Sequence, residues 1–262
     1  HGVDADGVVG RMTYAALNIP VLGRITQIDA NLKRLQLLPD DGFRRAIIVT
    51  VARFELNVVE NGNTVLATPV IVGRLSRQTP VLSSAITKIV VNPYWTVPRR
   101  IAARDILPKV QKNPSYLKEQ SIRIYRNDGP SRVEVEPDSV SWHLLKPKNF
   151  SYTLVQDPGP LNALGRVKFY FPNNQDIYLH DTPARDLFRK DSRAFSSGCV
   201  RVDKALDLAK YLLSHDRKGS LPALDEALQN GKTIEIALAE PVPVHIVYLT
   251  AWVDDHGQAH FR

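Results

Sequence analysis

Cysteine occurs once in 262 residues, at position 199. A single thiol excludes an internal disulfide and a zinc site built from cysteines, so Cys199 is either an inert core residue or a working nucleophile. No run of 18 apolar residues occurs, so no segment reads as a membrane-spanning helix. Runs of five or more like charges are also missing, although the formal net charge is +7. Scattered basic residues argue against nucleic acid as partner and fit either a plain basic surface or attraction to a carboxylate-rich polymer. There is no opening Met and no signal-like apolar region, and the first residues read as the middle of a motif. An export signal or anchor is therefore expected to be missing from this fragment.

What is present is ordinary globular composition, 44% hydrophobic and 23% charged, sufficient for one good core and smaller pieces. Residues 1–20 hold Asp4-Ala5-Asp6-Gly7-Val8-Val9-Gly10, a turn, with Thr13 as the start of a short helix. Asp4 and Asp6 fall short of a calcium ligand set. From Ile25 the apolar residues Ile25, Ile28, Leu32 and Leu35 recur at helical spacing and predict a connecting helix within 21–42, ended by Pro39 to Gly42. The runs 46–51, 54–59 and 64–72 read as strands, the last two joined through Asn61-Gly62, a hairpin signal. Asp203 is placed to cap a helix with Ala205, Leu206, Ala209, Leu212 and Leu213 on its apolar face. Strand character also marks 167–171, 176–180, 233–237 and 244–253. A helical stretch, 101–112, opens a polar, proline-spaced region to about residue 165 that reads as an inserted lid.

The chemistry is concentrated in Ser196-Ser197-Gly198-Cys199-Val200-Arg201, in which Cys199 lies nineteen residues after His180. A thiol attacks carbonyls as thiolate, so an imidazole that takes its proton and a nearby cation such as Arg201 both assist it. Gly198 permits a tight turn that aims backbone N–H groups at an oxyanion. Alternation along a strand puts Tyr178 and His180 on one face and Leu179 on the other. The backbone carbonyl or the carboxylate of Asp181 is placed to fix the imidazole tautomer, and the spacing does not decide between them. Tyr94 and Trp95, flanked by prolines, read as packing residues. His256 and His260 lack the acidic partner of a zinc motif.

The His, the gap of under twenty residues and the S-x-G-C-hydrophobic-Arg run resemble the L,D-transpeptidase catalytic domain, the YkuD family. Many members carry His where this chain has Ser197. That departure, with Asn92-Pro93-Tyr94-Trp95-Thr96-Val97-Pro98, His180-Asp181-Thr182-Pro183 and Val247 to Trp252, resembles the large Gram-negative YcbB-like branch. Residues 1–20 resemble the end of a peptidoglycan-binding repeat. The resemblance implies a mainly β fold with helices (α+β): a β-sandwich catalytic domain over 43–262, carrying the lid at about 100–165.

It further implies an enzyme without metal or organic cofactor, acting in the periplasm. Cys199 would be acylated by a donor tetrapeptide stem with loss of D-alanine, and a diaminopimelate amine of a second stem would accept the acyl group, giving 3→3 cross-links. His180 would be the base; Ser197, Tyr178 and Arg201 would bind or orient substrate and Ser196 would brace the loop. Carbapenems would acylate the same thiol. Water or a lipoprotein lysine as acceptor would make the enzyme a carboxypeptidase or a lipoprotein-attaching transpeptidase. A noncatalytic wall-binding module is the alternative of another class.

Overall fold

The computed structural model describes residues 7–36, 38, 44–128, 131–217, 221–254 and 256–262. Asp4, Asp6 and the Pro39 to Gly42 turn lie outside the described residues. In chain order the strands are β1 (Arg45–Thr50), β2 (Glu55–Glu60), β3 (Asn63–Gly73), β4 (Leu82–Val91), β5 (Trp95–Thr96), β6 (Ile122–Asp128), β7 (Ser131–Val135), β8 (Tyr152–Gln156), β9 (Val167–Tyr170), β10 (Leu179–His180), β11 (Ala194–Ser196), β12 (Val200–Val202), β13 (Ile234–Val247), β14 (Ala251–Val253) and β15 (Ala259–Phe261).

The main sheet runs β11-β3-β12-β10-β9-β4-β13-β1-β2, and β2 pairs back onto β3. The mainly β architecture expected from the sequence is present, and its layers are parts of one sheet that closes on itself. Closure follows from the hairpin at Asn61-Gly62, which returns β3 alongside β2, while β1 is sealed on its other side by parallel pairing with β13. Period-two patterning fills the interior: Ile47, Leu56, Val70, Ile86, Phe169, Leu179, Val200 and Val244 are fully buried in one cluster. The helix Ala205–Ser214 lays Ala205, Leu208, Ala209, Leu212 and Leu213 on it. Leu208 joins that stripe, and the predicted Leu206 packs at its margin, partly buried. Asp203 does not cap this helix, which has no side-chain cap; its carboxylate lies 3.5 Å from Arg185.

Two predicted strands at the C-terminal end are one. β13 runs through both prolines: a register shift between Ala237 and Val242 takes in Pro241, and Pro243 lies opposite Ala85 in the ladder with β4. Beyond it the chain turns into the separate hairpin β14-β15. The predicted strand over 176–180 is shorter: Asn173 folds the preceding residues into a turn, its Oδ1 accepting from the N–H groups of Gln175 and Ile177, so only Leu179 and His180 pair.

The region 95–156 has a core of its own. Strands β5-β8-β6-β7 form a second sheet, and Val97, Ala102, Ile106, Leu107, Val110, Leu117, Ile124, Phe150 and Leu154 are buried together beneath it. Its long helix, Arg99 to Lys112, passes through a π-helical stretch at Ala102–Ile106. Near the N-terminus the helices are Arg11–Leu17 and Val21–Leu35. The first begins two residues ahead of Thr13. The second leaves its predicted apolar face, Ile25, Ile28, Leu32 and Leu35, substantially exposed and buries Asn31 instead.

Candidate active site

Three neighbouring strands of the closed sheet place the chemistry. Lys168 of β9 lies opposite His180 of β10, and His180 lies opposite Arg201 of β12. Residues directly across a ladder share a face, so this row sets an imidazole between two cations. One step back, Val200 N–H donates to Tyr178 O at 3.2 Å, which brings Cys199 alongside Tyr178. The alternate residues Leu179, Val200 and Val202 are fully buried on the other face and anchor the row.

The sulfur is approached by both the backbone N–H and the hydroxyl of Tyr178. Its thiol points to the Asp176 carbonyl oxygen, at 3.7 Å. Burial raises the thiol pKa, while Tyr178, Lys168 and Arg201 pull it down without overcoming that effect. His180 is 5% exposed. Burial first, then the charge of Arg201, lower its pKa to about 3, with a smaller push from Lys168, against the opposing hydrogen bond to the Asp181 carbonyl. Burial thus favours the uncharged form of both groups, thiol at Cys199 and imidazole at His180. His180 Nδ1 lies 2.5 Å from the Asp181 carbonyl oxygen. That oxygen only accepts, so Nδ1 carries the hydrogen and Nε2 keeps the lone pair a base requires.

Of the two Asp181 groups the sequence left open, the carbonyl holds the ring. The carboxylate points away, accepting from the Arg166 N–H at 2.7 Å and pairing with Arg185. It packs on Gly165, at φ +60, where any Cβ would overlap it. Position 165 thus has to be glycine for Asp181 to seat.

The cysteine loop is built around Ser196. Its Oγ donates to the Cys199 carbonyl at 2.5 Å and accepts from the Gly198 N–H at 3.1 Å. Gly198 adopts φ +127, a conformation that L side chains rarely reach. Its N–H, engaged by Ser196, is not directed at an oxyanion as the sequence reading supposed. Ser197 Oγ accepts from Arg77 at 3.0 Å. Arg201 leaves its buried Nε without a hydrogen-bond partner, a donor still open to a ligand.

Beside Tyr178 opens a cavity of about 670 Å³ between the two sheets, lined by Trp95, Arg99, Arg132, Tyr152, Lys168 and Asp176 among others. Trp95 hydrogen-bonds the Tyr178 hydroxyl, and the Lys168 ammonium lies 4.0 Å from the Tyr178 ring centroid. Sequence reading set Trp95 aside as packing and passed over Lys168. The signal for Lys168 was its parity: in Val167-Lys168-Phe169 the apolar neighbours face the core, so the lysine shares the face of His180. Trp95 carried no such signal, because its partner is fixed only when the inserted sheet docks. His260 is spent on Asp254, at 2.7 Å, and stacks on Trp252. Among the described residues no group of three His, Cys, Asp or Glu is gathered for a metal.

The sequence family described as YkuD, L,D-transpeptidase catalytic domain, matches residues 44–244. A Haemophilus influenzae protein, provisionally named an L,D-transpeptidase, is 38% identical over 237 residues, covering 88% of this chain and 46% of its own length. The chain thus spans under half of that relative. Among solved structures, an L,D-transpeptidase from Mycobacterium smegmatis covers 78% of this chain and 58% of its own, at 10% identity and TM-score 0.37. The L,D-transpeptidase of Xylanimonas cellulosilytica covers 94% and 74%, at 16% identity and TM-score 0.33. L,D-transpeptidase 3 of Mycobacterium tuberculosis, solved with a faropenem-derived adduct, covers 77% and 59%, at 11% identity and TM-score 0.34.

Proposed function

The chain belongs to the YkuD family of L,D-transpeptidase catalytic domains, and on that footing we propose that it forms 3→3 cross-links between peptidoglycan stems through a thioester on Cys199. The observation that carries this reading is the row Lys168, His180 and Arg201 on neighbouring strands with Cys199 next to it in sequence, Tyr178 touching the sulfur and the imidazole held as the Nδ1–H tautomer. As Sγ attacks the carbonyl of the third stem residue, His180 Nε2 takes the thiol proton. The tetrahedral intermediate collapses, the C–N bond to D-alanine breaks, and the imidazolium returns the proton to the departing amine. A diaminopimelate side-chain amine of a second stem then attacks the thioester, His180 takes up its proton, the C–S bond breaks, and the imidazolium passes the proton to the departing sulfur, restoring the thiol. The Cys199 N–H and the Tyr178 hydroxyl are the donors we assign to the oxyanion, each worth about 3 to 4 kcal/mol where such groups are well aimed.

The cavity between the sheets suits the donor stem. Lys168, Arg99 and Arg132 meet its carboxylates, and Arg201 supplies its open Nε–H. The inserted unit acts as a lid that keeps water from the thioester and favours an amine acceptor. Action in the periplasm and acylation by carbapenems follow from the same chemistry, and Ser197 supports a place in the YcbB-like branch.

The test is incubation with a tetrapeptide-bearing disaccharide, read by mass spectrometry beside Cys199→Ala. A cross-linked dimer with release of D-alanine, absent in the variant, is expected. A tripeptide monomer that depends on Cys199 would make water the acceptor. Coupling to an added lipoprotein peptide lysine in preference to stems would redirect the acceptor, and wall binding without any product would leave a binding module.

A further inference from the structure

The residues that hold the cysteine loop from outside are not those of the catalytic row. Between β3 and β4 the chain makes a short turn, Leu75–Arg77, against the back of the loop. Arg74 N–H donates to the Ser196 carbonyl at 3.1 Å. Thr79 Oγ1 donates to the Gly198 carbonyl at 2.7 Å and accepts from the Gly73 N–H at 2.8 Å.

Arg77 goes further. Its side chain is only 10% exposed and does two things at once. One nitrogen donates to Ser197 Oγ at 3.0 Å. Both terminal nitrogens grip the carboxylate of Asp105, one of them at 2.8 Å from Oδ1. Arg74 reaches the same two groups more loosely, 3.4 Å from Ser197 Oγ and 3.6 Å from Asp105 Oδ2. Asp105 belongs to the inserted unit, inside its π-helical stretch at Ala102–Ile106. An extra residue in a helical turn re-aims the side chains it carries, and such turns concentrate at functional positions. A bidentate arginine–carboxylate pair is directional and charge-assisted, so it transmits position as well as attraction. Position 197 fits this frame as serine. Its hydroxyl accepts from two guanidinium groups, whereas a protonated imidazole there would meet them as a like charge.

We propose that Arg77 is a positioning residue that clamps the Cys199 loop to the inserted unit, with Asp105 as its anchor and Ser197 as its point of grip. Through it, the placement of the unit over the cavity sets the orientation of the loop that carries the nucleophile. The clamp acts on carbonyl attack, where the Cys199 N–H has to meet an oxyanion, and leaves the intrinsic reactivity of the sulfur unchanged. This rests on the acyl-transfer reading above, and the experiment separates the two.

Three measurements on the whole chain decide it: amide hydrogen exchange over residues 194–201, acylation of Cys199 by a carbapenem, and alkylation of Cys199 by iodoacetamide. Carbapenem acylation needs the carbonyl placed against the loop, while alkylation needs only an accessible thiol. In Asp105→Asn and in Ser197→Ala, exchange in the loop is expected to speed up and acylation at saturating carbapenem to fall about tenfold, with alkylation within about twofold of the parent. Asp105→Glu, which keeps the charge, should restore most of the acylation rate. Unchanged loop exchange overturns the clamp, and so does a parallel loss of alkylation and acylation. A parent protein that alkylates but takes no carbapenem counts against acyl transfer, and the exchange measurement then judges the clamp by itself.

Discussion

Lys168 and Arg201 flank His180 across three strands, and the two cations act on the base and on the nucleophile in opposite senses. They favour a thiolate at Cys199 and disfavour an imidazolium at His180. Burial works against charge on both. A preformed thiolate–imidazolium pair is thus disfavoured, and the proton moves only as the carbonyl is attacked. Iodoacetamide alkylation of Cys199 should accordingly rise with pH into the alkaline range without a thiolate plateau near pH 6. Turnover by His180 as base should persist to low pH, limited by protonation near the depressed value of about 3. His180→Gln is expected to lower acylation by roughly 10² to 10⁴-fold. The same shift couples to folding. The unfolded imidazole, at 6.5, binds a proton that the folded one refuses down to about 3, so its contribution to stability is intact above pH 6.5 and is lost as pH falls below it. Melting temperatures at pH 7, 5.5 and 4.5 should decline less steeply in His180→Gln than in the parent.

Cys199 and His180, the nucleophile and base we propose, stand out in the sequence because their neighbours there, Gly198, Ser196 and Asp181, are also their neighbours in space. Trp95 and Arg77 do not, because each acts across a contact between units that no local pattern records. Trp95→Phe removes the donor to the Tyr178 hydroxyl. It should cost about 1 kcal/mol in the acylation barrier, roughly fivefold, readable from carbapenem acylation rates.

At the level of elements, the helix Val21–Leu35 shows how packing overrides periodicity. Its apolar positions predicted the helix correctly, yet the face that docks is polar. Asn31 donates to Thr250 Oγ1 at 3.1 Å and accepts the Thr250 N–H at 2.7 Å, while Gln27 and Arg34 donate to the carbonyls of Thr250 and Tyr248. In the segment between β13 and β14 the Thr250 N–H and the Tyr248 carbonyl find their partners on this helix, and an apolar face would leave them unpaired. Asn31→Leu should therefore destabilise, by about 1 to 3 kcal/mol, despite raising the helix's hydrophobicity, and local hydrogen exchange at Thr250 should report it. The merged strand β13 has a related cause. The gap between the predicted strands 233–237 and 244–253 holds two prolines, and one strand continues through it, with Pro241 in a register shift and Pro243 paired opposite Ala85. Hairpin β2-β3 was legible outright, since Asn61-Gly62 specifies its turn locally.

For the molecule as a whole, two bodies of structure meet over one cavity. The inserted unit contributes Trp95, Arg99 and Tyr152 to its walls, and the closed sheet contributes Lys168, Asp176 and Tyr178. The sequence marks a proline-spaced break at about 100–165, and the second sheet occupies 95–156. The core of this unit is not marked there, because that core draws on residues from Val97 to Leu154 scattered over short elements. Replacing residues 100–160 with a short Gly-Ser linker should raise the ratio of thioester hydrolysis to transfer, measured by product mass spectrometry with an amine acceptor present.

The order in which this chain can be assembled follows from the closed sheet. β1 is completed by β13, from the far end of the sequence, while the inserted unit draws only on one contiguous stretch. Contacts between distant segments form late because closing the intervening loop costs entropy first. The inserted unit and the β2-β3 hairpin can therefore be structured while the ring is still open. The row of Lys168, His180 and Arg201 comes into register within a sheet that is sealed only when the last long strand arrives. Cys199 and His180 therefore acquire their settled geometry at the end of folding, so an incompletely folded chain carries its thiol without the row beside it.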